Sequence, residues 1–187
     1  DLREVLGVKS WRGYSDTETL LAGFDHWGIQ GAVDRAVGMF AFAVWDKIEN
    51  TLFLGRDRIG EKPLYYGWQG DSFLFASELK ALKKHPAFKA EISREAVCLF
   101  LRYNNIPAPY SIFTGIRKLE PGCLLTLSRT QPKPKISKYW SAVDQIKKGI
   151  ASPFSGTPLE AVDKLEMLSK DAIKQQMVAD VPLGAFL

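Results

Sequence analysis

Histidine and cysteine are scarce in this chain: its 187 residues hold two of each. Cys98 lies in "REAVCLFLRY" and Cys123 follows the turn "EPG", so there is no CxxC pair and no second Cys/His pair to complete a metal site. His26 sits on a helix face and His85 at a helix end, neither beside a residue that would give it a role. Two isolated thiols read as reduced and semi-buried, which places the protein in the cytoplasm. A run of about 18 apolar residues is also missing, which excludes a membrane-spanning helix. No basic start followed by an apolar stretch is visible, so no signal peptide is read. The net charge is +4, with lysines in short groups such as Lys83-Lys84 and Lys147-Lys148. Without an arginine-rich helix or interleaved aromatics, these groups read as solvated faces and not as nucleic-acid contacts.

What is present is strongly patterned. Ser15 and Glu18 have capping-box spacing at the head of "YSDTETLLAGFDHWG". Leu20, Leu21, Phe24 and Trp27 then form an apolar stripe, and Gly28 is the expected stop. "GMFAFAVWD" is apolar on both faces and reads as a strand covered on both sides. With "TLFLGRD" it predicts a hairpin about "KIEN", and "KPLYYGW" with "SFLFAS" predicts a second about "QGD". "SELKALKKH" and the Ser93-capped "SREAVCLFLRYN" predict helices, and "GIRKLEPGCLLTLS" predicts two strands about Glu120-Pro121-Gly122. The aromatics Phe40, Phe42, Trp45, Tyr65, Tyr66 and Phe75 read as core.

After Ser128 the composition turns to Pro, Gly, Ser and Lys. Residues 129–156 therefore read as a linker carrying one short amphipathic piece, between a first domain at 1–128 and a new domain opening at 157–187. Thr157, Pro158 and Glu160 start a capped helix, which leads to an apolar terminal run, "GAFL", read as a strand buried on both faces. A helix feeding a buried strand opens an α/β domain, whose ligands sit beyond the carboxyl ends of its strands. The chain is therefore expected to be a fragment of a longer protein.

Three stretches in order go beyond generic patterning: "WRGYSDTETLL", "GMFAFAVWD…LFLGRDRIGEKPLYY…FASELKAL" and "VADVPLGAFL". Together with "NNIPAPYSIFTGIRKLEPG" and Tyr139-Trp140 they resemble the glutamine-hydrolysing asparagine synthetases over nearly the whole chain. The resemblance implies an α+β fold. It would comprise an incomplete N-terminal-nucleophile hydrolase-like αββα sandwich, followed by the first helix and strand of an α/β ATP-pyrophosphatase-type domain. On this reading 1–128 is a partial type 2 glutamine amidotransferase domain.

In that family a cysteine at the mature N-terminus attacks the glutamine side-chain amide, with its own α-amino group as base and an oxyanion hole for the intermediate. The second domain uses ATP and Mg2+ to activate aspartate, and ammonia passes between the two. "DLREVL" resembles the segment just after the family's Asn-Gly-Glu-Ile-Tyr-Asn stretch, so the nucleophile is expected upstream of Asp1 and no catalytic residue is assigned within the chain. Asp16 matches the aspartate that binds the α-amino group of glutamine; by spacing alone it could equally serve the helix dipole. Leu187 matches the residue before the family's ATP phosphate loop, although packing equally explains an apolar side chain there. The substrates implied are glutamine, aspartate and ATP. No metal site is assigned, no cofactor is expected to bind the fragment itself, and a homo-oligomer stays open.

Arg56, Asp57, Arg58, Glu61 and Lys62 form a dense charge cluster. It reads as an ion-pair network fixing the hairpin against the second domain, with a catalytic role as the alternative. Glu78, at a helix start, reads as a dipole partner. Two further functions remain: an amidotransferase of the same architecture acting on another carboxylate, such as a sugar acid or peptide, and a non-catalytic interaction module with the glutaminase fold.

Overall fold

The computed structural model describes residues 2–177 together with Val181, Pro182 and Gly184. Residues up to Ser141 form one compact unit and those from Ala142 another.

The first unit opens with a short helix, α1 (Leu2–Leu6), and a long one, α2 (Asp16–Arg35). Ser15 is the N-cap of α2 and accepts from the Thr17 N–H at 3.1 Å. The expected break at Gly28 is present, with φ 70° and ψ 170°, values a side-chain-bearing residue reaches only under strain. The chain then resumes helical geometry to Arg35, where Ala32 and Val33 are buried. This second piece has too few apolar positions to announce itself by periodicity; packing holds it.

β1 (Ala41–Asp46) and β2 (Thr51–Arg56) form the first predicted hairpin, paired from Ala41 opposite Arg56 to Asp46 opposite Thr51. Asp46 Oδ1 accepts the N–H groups of Ile48 and Glu49 and so closes the turn. β3 (Tyr65–Gln69) and β4 (Ser72–Ala76) form the second, with Gly70 at φ 60° in the turn. The short helix α3 (Leu79–Leu82) and α4 (Arg94–Tyr103) follow; Ser93 caps α4 by accepting from the Ala96 N–H.

β5 (Ile116–Lys118), β6 (Cys123–Ser128) and β7 (Gln131–Lys138) complete the unit. Both strands expected about Glu120-Pro121-Gly122 are present, in different sheets. β5 pairs with β3, whereas β6 pairs with β2. The turn is thus the passage between sheets ordered β1-β2-β6-β7 and β4-β3-β5.

The two sheets face one another across Leu54, Leu125, Leu127 and Cys123 from the first and Tyr66 and Phe73 from the second. Behind the first sheet lies α2, whose Phe24 ring stands 4.9 Å from that of Phe42. Behind the second, Leu79 and Leu82 of α3 pack with Leu74 and Ile116. The layers are αββα, as the resemblance implies.

Three expectations need correction. β1 is an edge strand and not one covered on both sides: Ala43 and Trp45 are exposed, Trp45 to 47%. An apolar pattern reports the faces of a strand but not whether its edge is paired. The aromatic core is accordingly smaller than expected. Tyr66 is buried and Phe75 is exposed, while Phe40, Phe42 and Tyr65 are half-buried.

The third correction concerns the linker. Residues 131–138 form β7, paired antiparallel to β6, so the first unit runs to Ser141 rather than to residue 128. Prolines and lysines there (Pro132, Lys133, Pro134, Lys135) mark a sheet edge, where they discourage further pairing. Tyr139 completes the closure: its hydroxyl donates to the Arg56 carbonyl at 2.8 Å, and its N–H donates to the Gly122 carbonyl.

The second unit consists, among its described residues, of α5 (Ala142–Ala151) and α6 (Pro158–Gln176), neither with a buried residue. The capping box of Thr157 and Glu160 forms as expected. The strand expected over 184–187 falls on residues of which only Gly184 is described. Limited proteolysis is expected to cut between Ala142 and Thr157 before any bond in β6 or β7; first cleavage inside that hairpin would show the boundary to be misplaced.

Candidate functional site

Asp16 occupies the first helical position of α2, directly after the Ser15 cap. Its carboxylate is exposed and accepts two long hydrogen bonds at Oδ1, from Ser15 Oγ at 3.5 Å and Thr17 Oγ1 at 3.4 Å. The unpaired N–H groups of a first helical turn favour a negative charge there, and an exposed carboxylate so placed can pair with an ammonium ion. Asp16 lines a cleft of about 850 Å3, together with Leu20 and Phe24 of α2 and the consecutive residues from Met39 to Trp45. A pocket over one face of a strand meets alternate residues, so this cleft runs along the free edge of β1. Lys62, Pro63, Ser77 and Glu78 close its far side.

The expected capping box at Ser15 and Glu18 does not form. Glu18 reaches past the cap: Oε1 accepts the Arg12 N–H at 2.8 Å and Oε2 the Gly13 N–H at 3.0 Å. The Arg12 N–H, first among several donors and cations, holds the Glu18 carboxyl below its usual range. The loop before α2 is also held from α1. Arg3 donates through Nε to Thr19 Oγ1 at 2.7 Å, through Nη1 to the Gly13 carbonyl at 2.9 Å and through Nη2 to the Ser15 carbonyl at 2.8 Å. Its guanidinium lies 4.5 Å from the Trp11 ring centroid. No sequence pattern points to Arg3, because no local periodicity links a residue of one helix to the cap of the next.

In the charge cluster Arg56, Asp57 and Arg58 bond main-chain groups, where an ion-pair network was expected. Asp57 is 1% exposed, and its carboxylate gathers main-chain donors. Oδ1 accepts from Ile59, Gly60 and Glu61 at 3.2, 2.6 and 2.9 Å; Oδ2 accepts from Lys62 at 3.0 Å and Phe40 at 3.3 Å. Arg56 complements it by donating to the carbonyls of Lys62, Gly60 and Leu119 at 2.8, 2.6 and 2.6 Å. Arg58 donates to the Asp34 carbonyl of α2 at 2.9 Å. The three side chains shape the loop between β2 and β3 and bring Lys62 and Pro63 to the cleft. Gly60 is required within it: φ is 77°, and a Cβ there would stand 2.8 Å from Pro121 Cγ.

Glu78 is the N-cap of α3 without a side-chain capping bond and pairs with Lys80 at 2.6 Å. His26 packs edge-on against Trp27, and His85 Nδ1 accepts from the Ala87 N–H. Cys98 is exposed and Cys123 buried, and burial pushes the Cys123 thiol up. Leu187 lies outside the described residues. Among the described residues, no cluster of His, Cys, Asp or Glu could hold a metal ion, and no helix is long and apolar enough to cross a membrane.

A carboxylate at a helix start, beside a cleft on a two-sheet sandwich, invites comparison with known amidotransferases. Residues 1–140 match the glutamine amidotransferase domain family, and the chain belongs to it. Its αββα fold also has a counterpart among solved structures. The glutamine phosphoribosylpyrophosphate amidotransferase from B. subtilis shares it, with a TM-score of 0.50 and 21% identity over 74% of this chain and 26% of that one.

Among full-length relatives, the chain is similar to Asparagine synthetase [glutamine-hydrolyzing] 3 of Bacillus subtilis, 38% identical over 100% of this chain and 29% of the relative. It is also similar to Putative asparagine synthetase [glutamine-hydrolyzing] 2 of Methanocaldococcus jannaschii, 34% identical over 100% of this chain and 35% of the relative. The chain thus spans about a third or less of the curated relatives it matches.

Proposed function

We propose that residues 1–187 are part of a cytoplasmic, glutamine-hydrolysing asparagine synthetase, in which this domain releases ammonia from glutamine for transfer to ATP-activated aspartate. The carrying observation is that similarity to relatives named asparagine synthetases runs through the whole chain, past residue 140, where the amidotransferase match ends. A module retaining only the glutaminase fold gives no reason for similarity over α6.

Within this reading Asp16 binds the α-ammonium of glutamine. The cleft beside it admits the substrate, and its apolar wall excludes water from the pair. The nucleophile is assigned to a residue outside 1–187. Cys98 and Cys123 carry no free α-amine to act as base, and the Cys123 thiol is buried. ATP and Mg2+ belong in this proposal to the synthetase half, which Leu187 alone of the assigned residues would approach.

The test is the product: the full-length protein should form asparagine from aspartate, ATP–Mg2+ and either glutamine or ammonia. An amide on a sugar acid or peptide would instead favour the other acceptors. Calorimetric titration of residues 1–187 with ATP–Mg2+ should show no saturable binding, since the donor loop of a phosphate site would follow Leu187; micromolar binding would place the nucleotide elsewhere.

A further inference from the structure

We propose that Arg3 is the positioning residue for the ammonium-binding carboxylate, acting through the segments on either side of Asp16; the inference rests on the reading of Asp16 as the glutamine-binding group.

Asp16 has little of its own to fix it. Its side chain is exposed, and its hydrogen bonds at 3.4 and 3.5 Å come from hydroxyls on the same short segment. Where the carboxylate stands therefore depends on where the backbone from Gly13 to Thr19 stands. Arg3 addresses that segment from both sides, at the Gly13 and Ser15 carbonyls before Asp16 and at the Thr19 hydroxyl one turn after it. A guanidinium is planar and its donors are fixed relative to one another, so three bonds to three residues lock those residues in one arrangement. The Trp11 ring holds the guanidinium plane from the side. Glu18 acts on the same loop with opposite charge, accepting the N–H groups of Arg12 and Gly13. Lysine, a single point donor on a flexible stem, cannot reproduce the fork. None of these groups lines the cleft with Asp16. Arg3 acts on the site only through Asp16, and losing it should weaken substrate binding rather than the chemical step.

The experiment is a double-mutant cycle in the full-length enzyme, with glutamine and ammonia as alternative nitrogen donors. Arg3→Ala is expected to raise the glutamine KM by about 10-fold with kcat changed less than about 2-fold, as for a displaced binding group. Ammonia-dependent synthesis should be unchanged, and added methylguanidine should restore part of the loss. In an Asp16→Asn background, Arg3→Ala should add almost nothing, because its effect passes through that carboxylate. Should Arg3→Ala fail to fold, Arg3→Lys, which keeps the cation, is read in the same cycle and should also raise the glutamine KM.

Two results overturn the assignment while leaving Asp16 in place. One is a full Arg3 effect on top of Asp16→Asn. The other is an equal fall in both nitrogen routes, or in neither, while Asp16→Asn still impairs glutamine use. If Asp16→Asn itself leaves glutamine use intact, both the reading of Asp16 and the role of Arg3 fall.

Discussion

Asp57→Ala is expected to lower the stability of the first unit by about 4 kcal/mol, a large share of the roughly 5–15 kcal/mol that holds a domain together. The carboxylate is 1% exposed and serves main-chain N–H groups of five residues, Phe40 and Ile59 to Lys62. Alanine removes the side-chain acceptor: the Gly60 N–H keeps the Asp57 carbonyl at 3.2 Å, and the N–H groups of Phe40, Ile59, Glu61 and Lys62 lose the carboxylate. Ile59, Glu61 and Lys62 are exposed enough for water to replace part of the loss, whereas Phe40 is half-buried. A buried donor left without a partner costs about 1–3 kcal/mol, and hydrogen bonds to a charged acceptor are the stronger kind.

The same loop receives the Gly122 N–H at the Asp57 carbonyl and the Arg56 guanidinium at the Gly60 and Lys62 carbonyls, while Arg56 also donates to Leu119 beyond β5, so its loosening reaches the passage between the two sheets. Asp57→Asn keeps the shape but turns an amide N–H2 toward donors, and should cost nearly as much. Denaturant unfolding followed by tryptophan fluorescence decides the matter. A change below about 1 kcal/mol for Asp57→Ala would mean that water fills the cage and the carboxylate is not what shapes it.

Asp16→Asn in the full-length enzyme is expected to reduce glutamine-dependent kcat/KM by about 10- to 100-fold and to leave ammonia-dependent synthesis nearly untouched. The α-ammonium of glutamine, once desolvated beside the apolar wall of Leu20 and Phe24, needs an anionic partner. A charge-assisted hydrogen bond is worth about 1.5–3 kcal/mol, which sets the size of the effect. Ammonia carries no α-amino group and has no use for this carboxylate. Stability should hardly move, because Ser15 still caps α2 and asparagine is tolerated in a first turn. Steady-state kinetics with each nitrogen donor tests it. An equal fall in both routes would make Asp16 a structural residue of the helix start, and no fall in either would place the ammonium elsewhere.

Several elements were legible in the sequence because their causes are local. Both hairpins lie about the turns that their short polar and glycine-containing segments predict. Ser93 and Thr157 cap the helices they precede, and Gly28 interrupts α2 where a positive φ is needed. The position of Asp16 at a helix start follows equally from the serine before it. The family was legible too, through the ordered set of motifs that includes "GRDRIGEKPLYY".

Tertiary structure decided what depends on neighbours distant in the chain. Alternation of apolar residues gives each strand two faces but names no partner. It could not separate β5 from β6 into different sheets, leave β1 at an edge, or show that the proline- and lysine-rich 131–138 segment pairs with β6. Charge spacing suggested that Arg56 and Asp57 would seek opposite charges. In the fold their nearest partners are main-chain groups, because a tightly wound loop must satisfy its own N–H and carbonyl groups first. The same holds for Glu18, which was spaced to reach Ser15 but was drawn to the N–H groups of Arg12 and Gly13 once the loop folded back from α1. A sequence records which groups a segment offers; only the approach of two segments in space determines which of them meet.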